Sequence, residues 1–268
     1  MPELPEVETT VRGLERVLQG RRIVRVEARR SDLRRAFPVD LGQRLTGARV
    51  TTLWRRAKYG LIDTDRGDTL VFHLGMSGRW RIDPSEIEKH DHFLLETDEG
   101  RRLALNDPRR FGSIDLIRTD ELATWPAFAA LGPEPLQITA EELRRRLASR
   151  IAPIKLLLLD QRIVAGLGNI YVCEALFRAG IHPKRPGGSI SLDRLRRLVS
   201  AIHGVLAEAI AAGGSTLRDF ASPNGELGYF SKSFSVYDRE GAPCACGGSV
   251  SRIVQGGRST FYCTRCQR

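Results

Sequence analysis

The chain has little that would take it into a membrane or out of the cell. No apolar run approaches the roughly 20 residues needed to cross a bilayer, and "LVFHLGM" and "IKLLLLD" are each interrupted early by polar groups. The opening "MPELPEVE" lacks the basic start and apolar stretch of a secretory leader, so a soluble chain is expected. Cysteine is almost absent until the end: Cys173 stands alone, and the other four of the five lie in the last 25 residues. An odd count gathered at one end argues against a disulfide framework and for a metal site in a reducing compartment. No repeat of solenoid length is visible, which removes the stacked-repeat architectures.

What is present is positive charge. Lys and Arg number 42 against 32 Asp and Glu, for a formal net charge of +10. This balance suits a phosphate backbone, an acidic partner or an anionic surface, and equally a well-solvated exterior. At 268 residues the chain can form one large domain or two smaller ones, and two folded units are expected.

Residues 20–118 are mostly short β-rich runs between turn signals, among them "RIVRVEA", "RVTTLWRRA", "TLVFHLG", "HFLLETDEG", "RRLALND" and "SIDLIR", the pattern of a sandwich or barrel. Before them, Val7, Val11, Leu14 and Val17/Leu18 recur at helical spacing and predict a helix directly behind the N-terminus. "LGPEPLQIT" marks a connection at 131–139. After it Thr139, with Glu142 three residues on, reads as a capping box, and further helices are expected at 153–160, 169–179 and 191–212. "AAGGSTLRDFASPNGELGYFSKSF" reads as a loop. The expected organisation is an α+β chain: an N-terminal β-sandwich domain with its helix over 1–131, a helical domain over 132–234 and a β-hairpin that binds zinc over 235–268.

The tail "PCACGGSVSRIVQGGRSTFYCTRCQR" holds two cysteine pairs sixteen residues apart. Two pairs on such a hairpin can place Cys244, Cys246, Cys263 and Cys266 around one structural Zn²⁺, bound at about 2.3 Å. The segment is too small to fold without the metal. The first pair, Cys244-x-Cys246, is one residue shorter than the second, which tightens its bite; four reduced thiols in a mobile tail are the alternative. "GLGN" at 166–169 precedes a helical run. A dinucleotide fingerprint needs a third glycine and a preceding strand, so that reading is rejected. Asn169 at a helix start suits either a phosphate site or ordinary capping. Cys173 reads as a packed helix position.

"MPELPEVE", "RRAKYG", "HLGMSG", "KHDH", "NDPRRFG", "GLGNIY" and "GGRSTFYC" together resemble the bacterial formamidopyrimidine-DNA glycosylase family, in order and from Pro2 to the C-terminus. The endonuclease VIII group has a similar layout but typically begins "PEGPE", and Leu4 favours the formamidopyrimidine branch. The resemblance implies a helix-two-turns-helix motif in the helical domain. It also implies excision of oxidised purines such as 8-oxoguanine from double-stranded DNA, followed by cleavage at the abasic site, by a cytoplasmic monomer.

The resemblance gives the unusual opening a chemical purpose. A small second residue favours removal of Met1, which exposes Pro2 as a secondary amine able to capture the sugar C1′ as an iminium. An α-amine with a pKa near 8 is roughly 10% free base at pH 7, against well under about 0.1% for lysine. Glu3 is placed to donate a proton as the sugar ring opens, and Glu6 to hold sugar hydroxyls or order water. Lys58 resembles the family's second essential amine and Arg258 the arginine that grips the lesion phosphates. Met76, Arg109 and Phe111 match the three residues that fill the void left by an extruded base, with Arg109 facing the orphaned partner. Core packing is the alternative for Met76 and Phe111. His90 is expected at a phosphate or backbone, and Arg150, Lys155 and Asn169 at phosphates. Thr216, Arg218 and Tyr229 fall on the loop over the extruded base. An endonuclease VIII-like enzyme for oxidised pyrimidines and a non-enzymatic zinc protein that binds DNA are the competing readings.

Overall fold

The computed structural model describes residues 2–215, 222, 223, 225 and 228–268. Its backbone divides into two compact units, Met1–Ala129 with Ala212–Tyr229, and Ala130–Ala211 with Phe230–Arg268.

The first unit begins with α1 (Leu4–Leu18), which buries Leu4, Val7, Val11, Leu14, Val17 and Leu18 along one stripe, as the spacing predicted. Burial of a side chain such as Leu4, Leu14 or Leu18, none of them exposed, is worth about 1.5–3 kcal/mol. Next come β1 (Ile23–Ala28), the short α2 (Leu41–Leu45), β2 (Val50–Arg56), β3 (Tyr59–Thr64), β4 (Asp68–His73), β5 (Arg79–Ile82), β6 (Asp91–Thr97), β7 (Arg102–Asn106), β8 (Ser113–Arg118) and α3 (Pro126–Ala129). The strands form two four-stranded antiparallel sheets, ordered β1-β6-β7-β5 and β2-β3-β4-β8. Ile23, Trp80, Phe93, Leu95, Leu103 and Leu105 from the first sheet join Val50, Leu53, Ile62, Leu70, Phe72 and Ile114 from the second, and the inner stripe of α1, in one core. The β-sandwich with an N-terminal helix is therefore present. The strand β5 was not anticipated; four residues of "RWRI" are too few to show an alternation. On the second sheet, Leu61 and Val71 pack with Leu122, Trp125 and Phe128, so β4 is buried on both faces.

The second unit contains α4 (Ala140–Leu147), α5 (Ile154–Leu159), α6 (Asn169–Arg178), α7 (Leu192–Ala211) and the hairpin β9 (Val250–Gln255) and β10 (Arg258–Cys263). Thr139 caps α4, its hydroxyl accepting from the Glu142 amide at 3.1 Å. Gly256 and Gly257 turn the hairpin with φ of 56° and 71°, a conformation that costs glycine nothing. Cys173, on α6, packs with Val236, Val250 and Phe261, as its helical setting implied. Among the described residues no helix is long and apolar enough to cross a membrane.

Candidate active site and metal centre

Pro2 lies buried immediately before α1. Glu6, 2% exposed, accepts the Glu3 amide on Oε2 at 2.8 Å and the Ser215 amide on Oε1 at 2.7 Å. Both of its oxygens therefore serve backbone amides, which fixes the first helical turn and draws residue 215 onto it. Glu3, at the N-cap, is also buried.

Lys58 sits with Ala57 at the tip of the β2–β3 hairpin, where Ala57 adopts φ +52°. Arg55 ties this tip to the helix: its Nε donates to Glu8 Oε2 at 3.0 Å and its Nη1 to the Ala57 carbonyl at 2.9 Å. The two candidate amines are thus carried on elements joined by one guanidinium.

His73, at the end of β4, was not singled out from the sequence, although it opens "HLGMSG". Its Nδ1 accepts the Gly75 amide at 3.0 Å, and its ring lies 4.9 Å from that of Tyr59. Burial, then the positive charges of Lys58, Arg34 and Arg35, push its pKa down to about 4. The imidazole is neutral at pH 7.

The three candidate wedge residues lie on two loops that both cross from one sheet to the other, 74–78 between β4 and β5 and 107–112 between β7 and β8. Phe111 is 45% exposed and Arg109 is exposed, with its guanidinium 5.0 Å from the Phe111 ring centre; Met76 is half-buried. None of the three belongs to the core, so packing does not account for them. His90 is half-buried, and its carbonyl accepts the Asp107 amide at 2.9 Å. His92 is buried, with Nε2 3.1 Å from the Asp107 carbonyl oxygen.

On the second unit Arg150 is exposed in the loop before α5, following Ser149 at φ +60°. Lys155 is wholly buried on α5. Asn169 opens α6 and donates from Nδ2 to the Ser259 carbonyl at 2.9 Å. Its side-chain donor therefore anchors the start of the strand β10, one residue from Arg258, which is itself exposed. Tyr229 is 59% exposed; Thr216 and Arg218 lie outside the described residues.

Cys244, Cys246, Cys263 and Cys266 bring their sulfurs within 4.8 Å of one another. The closest pairs, Cys244 with Cys266 at 3.6 Å and Cys246 with Cys263 at 3.5 Å, join the two ends of the hairpin. A tetrahedron with Zn–S bonds of about 2.3 Å has edges of about 3.8 Å, so the four thiols fit zinc. The short first pair is accommodated by a tight turn, with the Gly247 amide donating to the Cys244 carbonyl at 2.9 Å. A Cβ on Gly248 would crowd the site, lying 3.2 Å from Cys263 Sγ and 3.4 Å from Cys246 Sγ. Hydrogen bonding between Cys246 and Cys266 lowers the pKa of the first thiol and raises that of the second, so a proton is shared unevenly within the cluster. From α6, Glu174 reaches the start of this region, accepting the Ser235, Val236 and Tyr237 amides at 2.8–3.0 Å.

Three family models match in succession: the formamidopyrimidine-DNA glycosylase N-terminal domain over residues 1–114, the H2TH domain of the same enzymes over 131–221, and the zinc finger found in FPG and IleRS over 245–268. The formamidopyrimidine-DNA glycosylases of Novosphingobium aromaticivorans and Rhizorhabdus wittichii are 68% and 67% identical to this chain, each over the full length of both proteins. Among solved structures, a point mutant of the Lactococcus lactis FPG in complex with Fapy-dG-containing DNA superposes with a TM-score of 0.92 at 34% identity, covering all of both chains. The MutM (FPG) protein of Thermus thermophilus gives 0.89 at 42% identity, over 99% of this chain and 98% of that one. With sandwich, helical region and four-cysteine hairpin each matched in order, this chain belongs to the formamidopyrimidine-DNA glycosylase family.

Proposed function

We propose that the chain is a bifunctional DNA glycosylase and abasic-site lyase of base excision repair that removes oxidised purines from duplex DNA. It acts as a cytoplasmic monomer with one structural zinc. The carrying observation is the buried first turn of α1, where Glu6 binds the Glu3 and Ser215 amides and so holds the chain start in one place. A nucleophile held in one geometry gains most of what enzymes gain from proximity.

In this reading the Pro2 nitrogen, freed by removal of Met1, attacks C1′ of the damaged nucleotide. The N-glycosidic bond breaks and the base leaves with its electron pair. Glu3 donates a proton to the ring oxygen as the sugar opens, and the Pro2 nitrogen retains C1′ as an iminium. That cation acidifies the C2′ proton, so the 3′-phosphate departs by β-elimination and the 5′-phosphate by δ-elimination. Lys58 and Arg258 stabilise the departing phosphates. Arg150, Lys155 and Asn169 hold phosphates from the helical side, and His90 contacts a phosphate or the DNA backbone. Met76, Arg109 and Phe111 fill the stack left by the extruded base. Zinc, held by the four cysteines, supplies the rigidity of the hairpin that presents Arg258. The domains run over 1–131, 132–234 and 235–268. One relative in two complexes supports the substrate class: Lactococcus lactis Fpg has been crystallised, as a point mutant, with Fapy-dG-containing DNA and, separately, with abasic-site-containing DNA.

Borohydride reduction on a duplex with a single 8-oxoguanine tests this directly. A covalent adduct mapped to Pro2 is expected. An adduct on Lys58, full activity with Met1 retained, or a clear preference for oxidised pyrimidines would refute the assignment.

A further inference from the structure

We infer that Asp107 is a positioning residue for base extrusion: its buried carboxylate locks the two wedge-bearing loops into one rigid body. The inference rests on the reading of Met76, Arg109 and Phe111 as the residues that enter the stack.

Asp107 is wholly buried. Oδ1 accepts the Ser77 hydroxyl at 2.6 Å, and Oδ2 accepts the Gly112 amide at 2.8 Å. The Ser77 oxygen in turn accepts the Arg109 amide at 3.1 Å. One side chain therefore holds the neighbours of all three wedge residues: Ser77 beside Met76, Gly112 beside Phe111, and Arg109 itself through Ser77. The Asp107 backbone is held as firmly, its amide by the His90 carbonyl and its carbonyl by His92 Nε2.

The loops also meet backbone to backbone. Gly75 has φ +59°, and a Cβ built on it would lie 2.3 Å from the Phe111 carbonyl carbon. At Gly112 a Cβ would lie 2.8 Å from the His73 carbonyl oxygen. Arg110, between the wedge residues Arg109 and Phe111, takes φ +57°, a conformation that persists in a non-glycine residue only when its surroundings impose it. A wedge must resist the restoring force of stacking, so exposed side chains serve only if their backbone is rigid. Removing the Ser77 hydroxyl cuts both of its hydrogen bonds between the loops, and removing Asp107 also frees the Gly112 amide.

The test compares Ser77→Ala, Asp107→Asn and Asp107→Ala with Met76→Ala and Arg109→Ala in the full-length zinc protein. Three readouts are taken: fluorescence of a 2-aminopurine beside 8-oxoguanine, which reports unstacking; single-turnover excision opposite cytosine and opposite adenine; and borohydride trapping at a preformed abasic site. Ser77→Ala is expected to slow unstacking and excision by about tenfold or more and to bring the cytosine-to-adenine ratio toward one. Trapping at the abasic site should fall far less, since no base remains to be expelled. Asp107→Asn, which keeps an acceptor for Gly112, should lie between wild type and Asp107→Ala. If Asp107→Ala does not fold, Ser77→Ala decides alone. Loss in the Met76 and Arg109 variants with none in Ser77→Ala or Asp107→Asn overturns the inference and leaves the wedge reading standing. No loss in any variant overturns both, and equal loss at the abasic site overturns positioning in favour of general destabilisation.

Discussion

Acidification should weaken the first unit through one histidine. His73 is held neutral in the fold, its pKa pushed from 6.5 to about 4 by burial and by Lys58, Arg34 and Arg35, while its Nδ1 accepts the Gly75 amide. A proton on Nδ1 would remove that acceptor and place a cation among three others. Above pH 6.5 the imidazole is neutral folded or unfolded, and nothing is lost. As the pH falls below 6.5, the unfolded chain takes up a proton that the folded chain refuses, and stability declines until the folded group titrates near 4. Integrating between these values, the loss is about 2 kcal/mol at pH 5 and approaches a limit of about 3.4 kcal/mol below pH 4. All three tryptophans, Trp54, Trp80 and Trp125, lie in this unit, so intrinsic fluorescence during urea unfolding reads it selectively. Wild type should lose about 2 kcal/mol more than His73→Gln between pH 8 and pH 5. The comparison is needed because His92 is also lowered, chiefly by burial, and adds its own loss in the same direction. Parallel curves for the two proteins, or an imidazole resonance of His73 titrating near 6.5, would refute the reasoning.

Other outcomes follow from the same geometry. Chelation should release one zinc per chain and weaken DNA binding together, because the hairpin has too little apolar surface to hold Arg258 without the metal; fully active enzyme free of zinc by elemental analysis would contradict this. Inserting one residue between Cys244 and Cys246 should raise zinc affinity, measured by competition with a chromogenic chelator, without changing lesion choice. Glu174→Ala leaves three amides without their carboxylate and should cost about 3 kcal/mol or more, seen by calorimetry as a lowered transition of the second unit. Arg109→Ala should lose the preference for cytosine opposite the lesion, since a guanidinium can donate to the acceptors of cytosine; equal cleavage opposite all four bases by wild type would count against the role.

Much of this molecule is written in local pattern. The helix Leu4–Leu18 follows from apolar residues repeating at the helical period, and the sandwich from closely spaced β-rich runs. The four zinc ligands follow from two cysteine pairs on a hairpin, because ligand spacing is itself a local property. Motif resemblance pointed to the family, through stretches that are contiguous in the chain. Interactions between distant positions were decided only by the tertiary structure. Ser77 and Asp107 are thirty positions apart and meet because both loops cross between the same two sheets. Asn169 reads as a helix start suited to a phosphate or to capping, and that its side-chain amide also donates to Ser259, ninety positions away, is visible only in the fold. Glu6 reads as a group for sugar hydroxyls or water, and that it also accepts the amides of Glu3 and Ser215 is visible only in the fold. The complete burial of Lys155 is likewise not visible in the sequence. The charge of His73 depends on burial and on cations from two other segments of the chain. Hydrophobic period and ligand spacing are carried by neighbours in sequence, whereas burial, charge state and hydrogen-bond partnership are set by whatever the folded chain brings alongside.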